Sequence, residues 1–283
     1  MDCVPCFVRQ ALGALRQITD DEVLIEKAMK RVLVAASEIS FEKSPPEMGQ
    51  ILHKIIREEC GDADPYAEIK ERSNKSAMEA MGHVRELIEG SDDPFETACR
   101  FAIAGNVMDF GLLTMWDGNK LDEALGAAMG KDIDKETVAK LKAEVEGAET
   151  ILMLADNAGE IVFDRLLIEQ LPDAGKVTYV VRGGAVINDV TMKDAEDVGI
   201  VGLAGSVIDN GFDAPGTVLS QCSDEFRKLF DEADVVISKG QGNYETLCDC
   251  YRKVYFLTQI KCEVLARDLE GKVGDWEVRC NQL

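Results

Sequence analysis

Three short polar clusters interrupt an otherwise apolar second half of the chain. Asp156 and Asn157 stand in "ILMLADNAGEIVFD", Asn188 and Asp189 in "GGAVINDVT", and Ser238 and Lys239 in "VISKGQGNYETL". Carboxylate and amide oxygens suit a hard divalent cation such as Mg²⁺ or Mn²⁺, and two carboxylates with one amide leave coordination positions for water and substrate. A lysine beside Gly240 and Gly242 at a helix start adds a point charge and exposed N–H groups, which suit phosphate. Taken singly, each cluster is equally a capped turn, and "GQGN" has neither Rossmann nor P-loop spacing. Their recurrence is what points to metal-assisted phosphoryl chemistry. A fourth element, "CRFAIAGNVMDFGLL", places Asn106 and Asp109 three apart on one helical face within an apolar run, as a pair facing the same site.

The elements that must position these residues change in character along the chain. Up to about residue 148 the apolar spacing is helical. "DDEVLIEKAMKRVLVAASEI" offers Asp20 as N-cap, and "SPPEMGQILHKIIREECG" has Ser44 as cap, Pro45 and Pro46 at its start and Gly61 as stop. Beyond that point, "TILMLA", "VTYVVR", "VGIVGLA", "DVVISK" and "VYFLTQ" read as buried strands separated by helical stretches. The alternation predicts an α/β fold: a Rossmann-like α/β/α sandwich with a central parallel sheet, preceded by an all-helical subdomain. The expected division is residues 1–92 and 93–283. Ligands bind such sheets beyond the carboxyl ends of the strands, where all three clusters fall.

Composition narrows the function classes. The chain has 283 residues, 46% hydrophobic and 30% charged, which is ordinary for a folded globular protein. A net charge of −22 repels phosphate backbones and anionic membranes, so neither nucleic acid nor membrane is an expected partner. "MDCVPCFVRQ" has no signal-peptide pattern, and no apolar run is long enough to span a bilayer, so a cytoplasmic location is expected. Nine cysteines, an odd number, argue against a disulfide framework.

The segments "AGNVMDFG", "DNAGEIVFD", "INDVTMKDA" and "KGQGNYETL", with Lys261-Cys262 late in the chain, resemble the metal-dependent damage-control phosphatase family. "CVPC" and "DPYAEIKERSN" are similar to its stand-alone, CxxC-bearing subfamily of archaea and other microbes. The resemblance implies a divalent-metal-dependent phosphatase acting on small phosphorylated metabolites. Asp156, Asn157 and Asp189 would hold the cation, with Mn²⁺, Ni²⁺, Co²⁺ and Mg²⁺ all compatible. Lys239, Asn243 and Lys261 would contact substrate phosphate, and Glu160 would lie near the ligand. The implied role is removal of damaged phosphometabolites, with oxidised purine nucleotides or related intermediates as one substrate class. In one place the chain departs from the family: Gly184 and Ala185 stand where a proline commonly precedes the hydrophobic pair.

From the residues, Asp156 and Asp189 are the expected catalytic carboxylates. Lys239, with the amides of Gly240 and Gly242, is expected to neutralise charge on the phosphoryl oxygens. An aspartyl-phosphate route through Asp156 is a rival within the same class. Two other classes stay open: an S-adenosylmethionine-dependent carboxyl methyltransferase, and a non-catalytic metal- or nucleotide-binding module.

Cys3 and Cys6 form half a zinc site, for which Cys60, Cys99, Cys262, Cys280 and His53 are the candidate completing donors. A buried inert pair is the alternative, and thioredoxin-type chemistry is disfavoured because no strand precedes the motif. Cys248 and Cys250 read as packing residues. With only His53 and His83 in the chain, a His-rich zinc hydrolase site is disfavoured.

Overall fold

A computed structural model describes residues 2–62, 64–105 and 126–282. Asn106 and Asp109 therefore lie outside the described residues.

Five helices come first: α1 (Cys3–Ile18), α2 (Glu22–Glu38), α3 (Pro45–Cys60), α4 (Ala67–Glu89) and α5 (Pro94–Ala104). The third is set by its termini. Ser44 and Glu47 form a capping box, proline occupies the first turn, and Gly61 ends the helix in the left-handed region at φ 65°. At α2 the cap is Asp21 rather than the expected Asp20; its side chain accepts from the amides of Val23 and Leu24. Phe7, Leu15, Ile25, Val32, Leu52 and Ile56 make a core of their own among α1 to α3. Helix α4, within the stretch that the sequence pattern assigns to the helical subdomain, contributes Ala77, Val84 and Ile88 to the core beneath the sheet.

After α6 (Lys135–Gly147), strands and helices alternate: β1 (Ile151–Leu154), α7 (Glu160–Ile168), β2 (Val177–Val181), α8 (Met192–Asp197) and β3 (Ser206–Asp209). Then come α9 (Asp224–Glu232), β4 (Val235–Lys239), α10 (Gly240–Leu247), β5 (Tyr255–Gln259), α11 (Glu263–Asp268) and β6 (Trp276–Cys280). The sheet order is β3-β2-β1-β4-β5-β6, parallel through β5, with β6 antiparallel to β5. Alternate residues of β1 point to opposite faces: Ile151 and Met153 join one core, Leu152 and Leu154 the other. Helices cover both faces, as the α/β/α expectation requires.

Two strand assignments change. "VGIVGLA" is not a strand: Val198 ends α8, Gly199 turns at φ 76°, and the amides of Leu203 and Ala204 both reach back to the carbonyl of Ile200. Val198, Ile200, Leu203 and Ala204 pack beneath the sheet from a turn while Val201 faces solvent, and the strand falls at Ser206–Asp209 on the sheet edge, half-exposed and without an apolar run. Strand β6, "WEVRC", is also absent from the expected set because its alternate residues face solvent.

The chain leaves β1 toward β2 and β3 on one side, then returns to β4 on the other. The carboxyl ends of β1 and β4 thus flank the point where strand order reverses, which is where a doubly wound sheet opens a crevice. No described helix is long and apolar enough to cross a membrane.

Candidate metal and phosphate site

The loops after β1 and β2 are laced together by their backbones. The Ala158 amide donates to the carbonyl of Asn188 (2.8 Å), the Val190 amide to that of Asp156 (2.8 Å), and Asn157 pairs with Asp189 in an isolated antiparallel bridge. Residues 32 apart in sequence become neighbours, and their side chains line one cavity of about 370 Å³. Ile187, just before "NDV", sits in the left-handed region at φ 47°, an unfavourable backbone for a β-branched residue. It marks the turn that delivers Asn188 and Asp189 to the cavity.

Arg182, the first residue after β2, organises the carboxylates. Its Nε donates to Asp189 Oδ2 (2.6 Å), its Nη1 to Asn243 Oδ1 (3.1 Å), and its Nη2 lies 3.6 Å from Asp156 Oδ1 without making a hydrogen bond. Burial, against the pull of this guanidinium and reinforced by the charge of Asp156, pushes the Asp189 carboxyl up to about 7. Two carboxylates and an amide oxygen on one cavity wall are the hard donors a divalent cation takes, so Asp156, Asp189 and Asn157 fit such a metal. Among the described residues no group of three His, Cys, Asp or Glu is set to hold an ion, so this donor set depends on Asn157.

Helix α10 begins directly after β4, and its first residue, Gly240, takes φ 79°. A β-carbon there would lie 1.8 Å from Asp156 Oδ2, and one on Gly242 would lie 1.9 Å from the carbonyl oxygen of Pro215. These glycines let the first turn of α10 close against the Asp156 carboxylate and the 215–216 backbone. Gly242 lines the cavity with Gln241, Glu245 and Lys261. Gln241 links that wall: its amide nitrogen donates to Glu245 (2.7 Å), and its oxygen accepts from the Lys261 amide (3.3 Å). Burial, with a smaller push from Asp156, raises the Glu245 carboxyl to about 7.

Two residues expected to touch phosphate are placed differently. Lys239 is fully buried beneath the cavity, its ammonium bound to Glu160 Oε1 (2.6 Å), Asp164 and the carbonyl of Ala102 (2.9 Å). Burial raises both carboxyls, Glu160 to about 8, and their joint attraction holds the lysine protonated above its usual range. Asn243 is also fully buried. Its amide donates to the carbonyls of Ala155 (3.0 Å) and Lys239 (2.8 Å) and accepts from Arg182 and Thr217, so every hydrogen-bonding position is used. Both residues brace the strand ends. Glu160 lies beside the cluster, within 3.4 Å of the Asn157 amide, while Lys261 is exposed on the cavity rim.

Sequence patterns left several contributors unremarked. Arg182 was visible only as a cation closing an apolar strand. Asp164 stands four residues after Glu160, so on α7 both face Lys239. Asn74 on α4 donates to Asp194 (3.0 Å) and accepts from the Gly159 amide (2.7 Å), tying the helical layer to both loops. No local pattern in α4 marks it.

The model of the damage-control phosphatase ARMT1-like domain matches residues 1–276. The chain belongs to the damage-control phosphatase family. Among its relatives, a damage-control phosphatase of Archaeoglobus fulgidus is 34% identical over 96% of both chains. One from Pyrococcus horikoshii is 31% identical over 96% of this chain and 94% of its own. An uncharacterized Methanocaldococcus jannaschii protein is 33% identical over 97% and 92%. A crystal structure of a DUF89 family protein from Pyrococcus horikoshii superposes with TM-score 0.89 at 29% identity, covering 100% of this chain and 98% of that one. This damage-control phosphatase fold thus extends over the helical layer as well as the sheet.

Of the five candidate donors to a CxxC zinc site, only Cys262 lines the same cavity as Cys3 and Cys6. His53 is buried with its Nδ1 against the Tyr66 hydroxyl, Cys99 and Cys280 are in the sheet core, and Cys60 packs among α1 to α3. Cys248 and Cys250 pack against the other sheet face, as expected.

Proposed function

We propose that the chain is a divalent-metal-dependent phosphatase that hydrolyses phosphate esters of small metabolites, in the damage-control role its family name describes. The observation that carries this reading is the convergence of Asp156, Asn157 and Asp189 on one cavity wall at the strand-reversal point, with Lys261 at the rim. A cation held by those three residues supplies charge neutralisation at the phosphoryl group and lowers the pKa of water.

The remaining work falls to the chain's own side chains. Arg182 fixes the Asp189 carboxylate in one orientation and offsets part of the negative charge that Asp156 adds. Lys261, the cation of the cavity rim, meets the phosphoryl oxygens as they enter. Lys239, Glu160 and Asp164 form a buried footing below, and Asn243 joins that footing to Arg182. The apolar part of the lining, with Phe7, Pro45, Pro46, Pro215 and Val264, takes the non-phosphate part of the ester. Oxidised purine nucleotides or their biosynthetic relatives are the substrate class that the CxxC subfamily resemblance favours.

Phosphate release from sugar phosphates and nucleotides with Mn²⁺, Co²⁺, Ni²⁺ or Mg²⁺ tests the proposal. Release abolished by chelator and by Asp156→Ala supports it; release unchanged in that variant overturns it. Ligand binding without turnover would make the protein a binding module. In a single turnover with ³²P-labelled substrate stopped by acid, label attached to the protein at Asp156 would reveal an aspartyl-phosphate, whereas label found only in free phosphate and substrate supports direct attack by water.

A further inference from the structure

The CxxC motif is the one conspicuous sequence feature that the phosphatase reading leaves unused, and the fold puts it in the same cavity. Cys3 and Cys6 open α1 in the helical layer; Cys262 caps α11 after β5. All three line the cavity with Asp156 and Asp189. Asp2, at the start of α1, and Arg267, in the last turn of α11, join the two helices by an ion pair of 2.6 Å. Gln241 Nε2 lies 3.6 Å from the Cys262 sulfur, and burial, helped by Glu245 and Cys262, holds the Cys3 thiol above its usual pKa.

Their chemistry follows from position. Cys3 and Cys6 are three apart in a first helical turn, which sets their β-carbons roughly 5–6 Å apart, against about 3.5–4.5 Å across a disulfide. The first turn is the part of a helix least held by its own hydrogen bonds. Here Asp2 makes no side-chain cap bond. A small tightening brings the sulfurs into bonding range. Cys6 is exposed and reaches an oxidant from solvent, while Cys3 is half-buried beside it. The same three thiols are not gathered as a ligand cage, since no group of three Cys, His, Asp or Glu among the described residues is placed to hold an ion.

We propose that Cys3 and Cys6 form a reversible dithiol–disulfide site in the wall of the phosphatase cavity, oxidised by hydroperoxides. The Cys6 sulfur attacks the peroxide O–O bond, giving a sulfenic acid and one water or alcohol. The Cys3 sulfur then displaces hydroxide from Cys6, its thiol proton leaving with that hydroxide as a second water. Two thiols lose two electrons and two protons, and the peroxide gains both. Closing the bond draws Cys3 from Glu245 and Cys262 and reshapes the wall facing Asp156, which slows hydrolysis. That last effect rests on the phosphatase reading; the bond itself does not.

Peptide mapping decides it. The full-length reduced protein is treated with hydrogen peroxide, blocked with iodoacetamide and cut with trypsin. The expected product is a single peptide ending at Arg9, unalkylated and lighter by two hydrogen atoms, which dithiothreitol returns to the doubly alkylated form. Cys262→Ser should leave this unchanged and Cys3→Ser should abolish it. A peptide linking Cys3 or Cys6 to Cys262, no loss of thiols, or stoichiometric zinc that blocks oxidation would each overturn the site. Hydrolysis of p-nitrophenyl phosphate with Mn²⁺ should be severalfold slower after oxidation in the wild type and insensitive in Cys3→Ser; an unchanged wild-type rate overturns the coupling. If the reduced protein hydrolyses nothing, the phosphatase reading fails while the peptide masses still judge the disulfide.

Discussion

Asp156 and Gly240 are packed so closely that a β-carbon on Gly240 would lie 1.8 Å from the Asp156 carboxylate. This contact joins the end of β1 to the start of α10 across the strand-reversal point, and it dictates glycine twice, since φ at Gly240 is 79°. Gly240→Ala should displace Asp156 and cost on the order of 100-fold in Mn²⁺-dependent hydrolysis. Gly274→Ala is the control: φ there is 97° with open space around it, so it carries strain without the clash and should keep its activity. Equal rates in the two variants would count against Asp156 as a reacting-site group.

Lys239 is expected to act as structure. Lys239→Met leaves Glu160 and Asp164 buried without their cation and should lower stability by about 3–5 kcal/mol. Glu160→Gln with Asp164→Asn in the same chain should recover most of it, read as urea midpoints. A Lys239→Met protein that unfolds with the wild type but loses phosphate affinity would return the lysine to a substrate role.

Asn243 satisfies two carbonyls, a guanidinium and a hydroxyl at once. Asn243→Ala should cost about 3 kcal/mol, because those buried partners lose their hydrogen bonds together. Mn²⁺ affinity measured by calorimetry should fall as well, since Arg182 is then free to turn from Asp189. Full metal affinity in a destabilised variant would separate the two roles.

His53 gives the helical layer an acid sensitivity. Burial, with help from Arg57, lowers its pKa to about 3. Between an unfolded value of about 6.5 and that folded value, the unfolded chain binds a proton that the native state refuses. Stability is therefore complete above about pH 6.5 and falls as pH drops toward about 3, by on the order of 4 kcal/mol. His53→Gln should flatten that part of the urea-midpoint profile; an unchanged slope would assign it to other groups.

Much of the fold and of the site is legible along the chain, and the rest depends on partners distant in sequence. "ADNAGE", "INDVT" and "SKGQGN" are legible because each departs abruptly from an apolar strand and the three departures recur at strand ends of one sheet. The interior strands are legible because, buried on both faces, they are continuous apolar runs. Strands β3 and β6 are not, because edge and half-exposed strands mix polar residues into the run, while "VGIVGLA" imitates a buried strand from within a turn. Asn74 could not have been found, since its partners Gly159 and Asp194 lie 85 and 120 residues away.

The sequence by itself determined the chemistry available: hard oxygen donors at strand ends, a lysine and glycines at a helix start, and a cysteine pair at the beginning of the chain. Only the tertiary structure decided the assignments. It turned Lys239 and Asn243 inward to brace the site, put Arg182 between the two aspartates, and carried Cys3 and Cys6 to a wall of the same cavity. The reason is physical. A side chain's identity fixes which bonds it can make, but its burial and its nearest charges choose among them, and these are set by residues distant in sequence that the strand crossovers bring together.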